Sequence, residues 1–211
     1  MKEHRGADLP PKAPTNISTK RHGADYFKSI MNTLIHICCA NCAAYPLNTL
    51  AGRGVDFTGF WYNPNIHPLT EYRLRLDTLK TLQTKWNFNV IYEDIYGLDL
   101  FLKTIQNPEG SRCEKCYNMR LEETAKKAKS LNYQSFTTTL LYSIYQKFDT
   151  IAEKGGELAE KYDVEFYFED FRTGWHKGIE LSKSLSLYRQ KYCGCLFSEI
   201  ERYDNKRKKK R

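Results

Sequence analysis

Short runs of β-branched and aromatic residues alternate with amphipathic helical patterns about five times along the chain. Strands are predicted at residues 33–37, 55–62, 88–92, 136–141 and 164–168. Helices are predicted at residues 43–50, 69–86, 98–105, 120–131, 149–162 and 177–188. Regular alternation of this kind is typical of a parallel sheet whose crossover helices cover its faces. We therefore expect an α/β fold with a mainly parallel sheet.

The charge of the chain is concentrated at its two ends. The 211 residues carry a formal charge of +8, of which residues 1–30 contribute +3 and residues 202–211 contribute +6. Residues 1–30 lack apolar periodicity, so we predict a flexible extension there, a single α/β catalytic domain at 31–201 and a basic tail at 202–211. The tail either increases solubility or binds the phosphates of a nucleic acid independently of its sequence.

The chain has neither an apolar run long enough to span a membrane nor an apolar segment typical of a secretory signal near its start. We therefore expect a cytoplasmic protein with no membrane partner. In a reducing compartment structural disulfides are uncommon.

The seven cysteines fall into three sets, and none lies outside them. The sets are Cys38, Cys39 and Cys42; Cys113 and Cys116; and Cys193 and Cys195. An odd number excludes complete internal disulfide pairing, and ordinary core cysteines would not cluster in this way. The first set follows the first predicted strand, at the sheet edge where α/β proteins bind ligands, and no glycine-rich phosphate-binding motif occurs there.

Three kinds of cysteine chemistry fit this pattern. Zinc could use two CxxC pairs, Cys39 with Cys42 and Cys113 with Cys116, which would leave three thiols unexplained. An iron–sulfur cluster takes about four thiolates and leaves thiols for a second metal or for redox chemistry. A metal-free thiol redox enzyme is the third alternative. Adjacent cysteines such as Cys38 and Cys39 cannot easily chelate one ion, but they can serve two neighbouring centres.

Several other residues are candidates for the site, each with an ordinary structural alternative. His36 is predicted to be a hydrogen-bonded core histidine, whereas His67 lies in a loop and could transfer protons. Asp94 and Asp170 each follow a strand and could be ligands, proton donors or helix caps. The arginine candidates for phosphate binding are Arg73, Arg75, Arg120 and Arg189. The aromatic candidates for base stacking, with core packing as their alternative, are Trp61, Tyr62, Tyr145, Tyr188 and Tyr192.

An ordered set of motifs resembles a known family. The segments are HICCANCAAYP, FWYNPNIHP, EYRLRLDTLK, RCEKCYNMRLEETAKKAK, FTTTL and YRQKYCGC, and the resemblance covers about residues 33–197. Together they resemble the QueH-type epoxyqueuosine reductases, with Asn41 where many members have proline.

The resemblance implies a fold, an activity and a cofactor. The fold would be Rossmann-like, of the adenine-nucleotide hydrolase type, with helices on both faces. The activity would be reduction of the epoxide of epoxyqueuosine, at the wobble position of certain tRNAs, to the cyclopentene of queuosine, the last step of queuosine biosynthesis. A [4Fe-4S] cluster and an adjacent mononuclear iron would be held by the seven cysteines and an aspartate, either Asp94 or Asp170.

These implications define the expected partners. They are queuosine-type tRNA and an electron donor that the sequence does not identify, and we expect a monomer. A proton could reach the leaving oxygen from an aspartate or from His67. The alternative function is a non-catalytic RNA-binding module stabilised by zinc.

Overall fold

A computed structural model describes residues 32–204, which form one five-stranded parallel sheet. The strand order is β3-β2-β1-β4-β5, and every pair is parallel. The strands are β1 (Asn32–His36), β2 (Asp56–Trp61), β3 (Val90–Tyr92), β4 (Ser135–Thr138) and β5 (Glu165–Phe166). This order is that of a Rossmann-like sheet and confirms the predicted fold class. The predicted extension at 1–30 and most of the basic tail lie outside the described residues.

The helices cover both faces of the sheet. The α-helices are α1 (Ala40–Gly52), α2 (Leu69–Trp86), α3 (Leu98–Gln106), α4 (Arg112–Ser130), α5 (Phe148–Tyr162), α6 (Trp175–Ser184) and α7 (Leu196–Tyr203). The chain moves toward one edge through α1 and α2 and toward the other through α4 and α5. Because parallel crossovers are right-handed, the two pairs of helices lie on opposite faces. Within residues 32–204 no helix has the length and apolar character to cross a bilayer.

The central strands are apolar because they are buried on both sides. Leu34 and Ile35 in β1 and Phe136 in β4 have no solvent exposure, as expected for a parallel sheet covered by helices. The chain adds β2 and β3 on one side of β1 and then adds β4 and β5 on its other side. This change in strand order creates a crevice beyond the carboxyl ends of β1 and β4. The loops after β1 and β4 therefore open into the same crevice.

Several elements differ from their sequence predictions. The predicted strand at 136–141 ends at Thr138, whose hydroxyl caps a 3-10 turn at Thr139–Tyr142. The predicted strand at 164–168 pairs only at Glu165–Phe166. Helix α4 begins eight residues before its predicted start because Ser111 and Glu114 form a capping box. Helix α7 was not predicted, and its last residues, Arg202 and Tyr203, belong to the segment that the sequence assigned to the basic tail.

Candidate active site

The turn between β1 and α1 concentrates three thiols. Cys39 caps α1, and its sulfur accepts a hydrogen bond from the backbone N–H of Cys42 at 3.4 Å. The sulfur atoms of Cys38, Cys39 and Cys42 all lie within 4.8 Å of one another. Thr139, at the end of β4, donates its hydroxyl hydrogen to the Cys38 sulfur at 3.3 Å. The two strands at the crevice thus form this part of the site together.

The remaining four cysteines converge on the same crevice. Cys113 and Cys116 lie in the first turns of α4, and the sulfur atoms of Cys193 and Cys195 are 3.9 Å apart just before α7. One cavity of about 690 Å³ is lined by all seven cysteines. Three segments that are distant in sequence therefore present their thiols to a single space, which has the size of a typical ligand site.

Hydrogen bonds between neighbouring thiols divide the protons unequally. Hydrogen bonds from the Cys39 and Cys42 thiols lower the pKa of Cys38 well below its usual value. The Cys195 thiol likewise lowers the pKa of Cys193 to about 5, whereas burial raises the pKa of Cys39 to about 12. The first and third sets therefore each favour one thiolate beside protonated partners, and the thiolate is the form that binds metals.

Arg75 of α2 anchors the loop that carries Cys193. Its Nη1 and Nη2 donate to the carbonyl oxygens of Cys193 and Tyr192 at 2.9 and 3.0 Å, and its Nε donates to Glu71 at 2.7 Å. Gly194 has φ 132°, and a Cβ there would lie 3.1 Å from Arg75 Nη1. The glycine of the YCGC motif is thus required by its backbone conformation and by the close guanidinium.

Two amides connect the first cysteine turn to the last loop. Gln190 Nε2 donates to the Cys39 sulfur at 2.8 Å. Asn41 Nδ2 donates to Gln190 Oε1 at 2.7 Å and to the Tyr188 carbonyl at 2.6 Å. Asn41 therefore holds the segment that carries Cys193 and Cys195 against the start of α1.

Comparison with known proteins identifies the family. A family model described as epoxyqueuosine reductase QueH matches residues 33–201. The chain belongs to this QueH family. The epoxyqueuosine reductase QueH of Thermotoga maritima is 40% identical over 178 residues, which cover 80% of this chain and 91% of that protein. The epoxyqueuosine reductase QueH of Dehalococcoides mccartyi is 36% identical over 170 residues, which cover 81% and 93%.

A solved structure shows a weaker similarity. The crystal structure of a predicted subunit of tRNA methyltransferase from Methanocaldococcus jannaschii aligns with a TM-score of 0.49 at 15% identity, covering 73% of this chain and 75% of that one. A similarity of this size has no bearing on activity, so the QueH family assignment depends on the sequence matches.

The two candidate aspartates of this QueH member lie away from the cysteine cavity. Neither Asp94 nor Asp170 is among the described residues that line it. Asp94 is exposed and accepts a hydrogen bond from the Tyr72 hydroxyl at 2.9 Å. Asp170 caps the 3-10 turn at Phe171–Gly174, and its hydrogen bond with Arg172 lowers the pKa of its carboxyl. The capping alternative is confirmed for Asp170.

The two candidate histidines are both buried. His36 makes hydrogen bonds to the Thr138 hydroxyl at 2.9 Å and the Tyr62 carbonyl at 3.3 Å, which confirms the core prediction. His67 is not among the cavity-lining residues, and within residues 32–204 its ring nitrogens have no hydrogen-bond partner. Its backbone N–H instead donates to the Gly194 carbonyl at 2.8 Å. His67 therefore supports the YCGC loop through its main chain.

The His67 ring predicts an acid-sensitive fold. Burial lowers its pKa to about 4 in the folded state, whereas an unfolded histidine titrates near pH 6.5. The unfolded state therefore binds an extra proton below about pH 6.5, and the free energy of unfolding should fall by about 2 kcal/mol between pH 7 and pH 5 from this group alone. Urea unfolding of wild type and His67→Phe at both pH values measures this fall in the free energy of unfolding. An equal fall in both proteins would show that His67 is not the group responsible.

The cavity also gathers positive charge that the sequence revealed only in part. Its lining includes six cationic side chains and, among the described residues, no carboxylate. The cations are Arg75, Arg112, Arg120, Arg189, Lys191 and Arg202. Arg75, Arg120 and Arg189 were candidates, whereas Arg73 is exposed outside the lining. The other three cations carried no periodic signal. Arg112 lies in the first turn of α4, which was not predicted, Lys191 lies in a loop, and Arg202 lies near the end of the unpredicted helix α7.

The aromatic candidates likewise divide into residues that line the cavity and residues that do not. Tyr145 and Tyr192 line the cavity, together with Trp175, Tyr142 and Tyr117, which the sequence analysis did not single out. Trp61 and Tyr62 are core residues instead. The Tyr188 hydroxyl donates to Glu71 at 2.7 Å beside the Arg75 anchor.

Proposed function

We propose that this chain is an epoxyqueuosine reductase that converts epoxyqueuosine in the wobble position of tRNA to queuosine. The observation that carries the proposal is the convergence of all seven cysteines on one cavity in a member of the QueH family. The reaction needs two electrons and two protons, breaks both C–O bonds of the epoxide and releases its oxygen as water. Because its substrate would be a tRNA, the protein would act in the cytoplasm.

The donor set fits an iron–sulfur centre. A [4Fe-4S] cluster takes about four thiolates, and seven thiols line the cavity, so three remain for an adjacent iron. When bound, these groups would supply single electrons and a Lewis acid for the epoxide oxygen. Cys38 and Cys39, adjacent in sequence with neighbouring sulfurs, are suited to serve both centres.

The protein's own groups would bind the polyanionic substrate. Four of the six lining cations are accessible, namely Arg112, Arg189, Lys191 and Arg202. With no carboxylate among the described lining residues, they favour a phosphate-bearing ligand. Among the described lining residues no aspartate, glutamate or histidine is available as a proton donor. The protons would then come from thiols, from tyrosine hydroxyls such as that of Tyr142, or from water. The electrons would come from an external one-electron donor.

Tyr145 would stack on a nucleobase at the cavity mouth. Its side chain is 80% exposed although it lines the cavity, and its ring meets that of Trp175 edge-on at 5.5 Å. An exposed aromatic beside cationic groups is a common platform for unpaired bases.

Replacement of Tyr145 by alanine should weaken tRNA binding about tenfold, because one base–aromatic stack contributes about 1–3 kcal/mol. Fluorescence anisotropy with an anticodon stem-loop measures the dissociation constant. Phe168→Ala is the matched control, since Phe168 is 53% exposed and is not among the residues that line the cavity. Equal affinities of Tyr145→Ala and wild type would contradict the stacking role.

The activity itself is tested with anaerobically purified protein, tRNA that carries epoxyqueuosine and a chemical one-electron reductant. Mass spectrometry of the nucleosides should show queuosine replacing epoxyqueuosine, with a loss of one oxygen atom. Unchanged epoxyqueuosine, with protein that holds its full metal content, would refute the proposed function.

A further inference from the structure

Arg120 is a cation buried beside the thiols. It lies on α4, lines the cavity and is 4% exposed. Its Nε donates to the Cys116 carbonyl one turn earlier at 3.0 Å, and its guanidinium lies 5.8 Å from the centre of the Tyr117 ring. Both of these partners are neutral and belong to the same helix.

No carboxylate balances this charge within residues 32–204. The ion pairs found there involve other cations. Arg75 provides the contrast, because it is equally buried but pairs with Glu71 at 2.7 Å. A buried cation without an anionic partner is strongly disfavoured, since its hydration is lost and nothing replaces it. The burial of Arg120 therefore points to an anion in the cavity.

The groups that can supply that negative charge are the thiols. Arg120 lines the same cavity as Cys116, Cys38 and Cys193. They come from all three cysteine sets, so Arg120 faces the space that the sets share. A metal centre bound by several thiolates carries net negative charge, which a single fixed guanidinium would offset in part.

We propose that Arg120 is the charge partner of the anionic thiolate-bound centre and raises its reduction potential. The inference rests on the proposed iron–sulfur site and goes beyond it, because it assigns the control of the potential to a residue that is not a ligand. Each electron added makes the centre more negative, so a nearby positive charge stabilises the reduced state more than the oxidised state. Arg120 acts through charge and needs no contact with the tRNA.

The test compares charge-removing and charge-keeping variants of the metal-loaded protein. Arg120→Met and Arg120→Gln should lower the midpoint potential in a spectroelectrochemical titration, so that the reduced-to-oxidised ratio at a fixed potential falls on the order of tenfold. Arg120→Lys should stay near wild type. Lys126→Gln is the control, because Lys126 lies on the same helix with its side chain 49% exposed. Equal potentials in Arg120→Met, Arg120→Gln and wild type would overturn the proposal.

Thermal unfolding provides a second readout that does not use the potential. Loading with iron and sulfide should raise the melting temperature of wild type more than that of Arg120→Met, because only wild type relieves a buried unpaired charge on loading. If Arg120→Met is less stable than wild type by the same amount with and without metal, Arg120 has a packing role and the inference is refuted. Wild-type protein that binds no iron would instead refute the iron–sulfur site on which the inference rests. Iron loss from Arg120→Lys as severe as from Arg120→Met would also refute a role through charge.

Discussion

In Cys39→Ala, bound iron and turnover should both fall by about two orders of magnitude or more. Loss of a residue that only hydrogen-bonds a metal ligand already costs about 10–100-fold, and loss of a ligand should cost at least as much. Cys39 is 2% exposed, lies beside the sulfurs of Cys38 and Cys42, and accepts a hydrogen bond from Gln190. Iron analysis and the epoxyqueuosine assay on anaerobically purified protein measure both losses.

Cys39 also caps α1, so the two roles must be separated. Loss of the cap alone costs about 1 kcal/mol. Cys39→Ser keeps a side-chain acceptor for the Cys42 N–H and should recover much of the stability but not the iron. Asn48→Ala, at an exposed position of the same helix, is the control and should keep iron and turnover. Wild-type iron content in Cys39→Ala would show that Cys39 is not a ligand.

Arg75→Met should lower the free energy of unfolding by about 3–5 kcal/mol, which is typical when one partner of a buried ion pair is removed. Glu71 would remain as a buried, uncompensated carboxylate, because Arg75 is 2% and Glu71 is 7% exposed. The carbonyl groups of Tyr192 and Cys193 would lose their donor at the same time. The loop that carries Cys193 should therefore become protease-sensitive.

Arg53→Met is the matched control for Arg75→Met. Arg53 also pairs with a glutamate, Glu169, but its side chain is 49% exposed. Solvent screens such a pair, so its loss should cost less than about 1 kcal/mol. Urea unfolding at pH 7 compares the two variants. Similar losses in both would contradict the assignment of Arg75 as the buried anchor of the cysteine loop.

The fold was largely predictable because its signals are local. Helix α2 begins at Leu69 and ends at Trp86 as predicted, since its apolar positions repeat regularly between Pro68 and a left-handed Asn87. The strand β1 was displaced by one residue only. The position of the first cysteine set followed from the rule that ligands bind at the carboxyl ends of parallel strands, whereas the meeting of all three sets was implied by the family resemblance.

Other parts of the site depend on contacts that no local pattern encodes. Helix α7 is capped by the sulfur of Cys195, which is not a residue type that signals a helix start. Asp94 follows a strand, as a ligand could, but it lies in an exposed position. The unpaired burial of Arg120 becomes visible only when the surrounding elements are packed. Sequence pattern identifies candidates, and tertiary packing decides among them.

Iron and acid-labile sulfide content of the anaerobically purified protein tests the central claim most directly. We expect about four or more iron atoms per chain together with sulfide, because seven thiols in one cavity exceed what one tetrahedral ion can use. One or two zinc ions without sulfide would instead indicate the zinc-stabilised RNA-binding module. Seven freely titrating thiols without metal would indicate a thiol redox enzyme, and either result would contradict the iron–sulfur account.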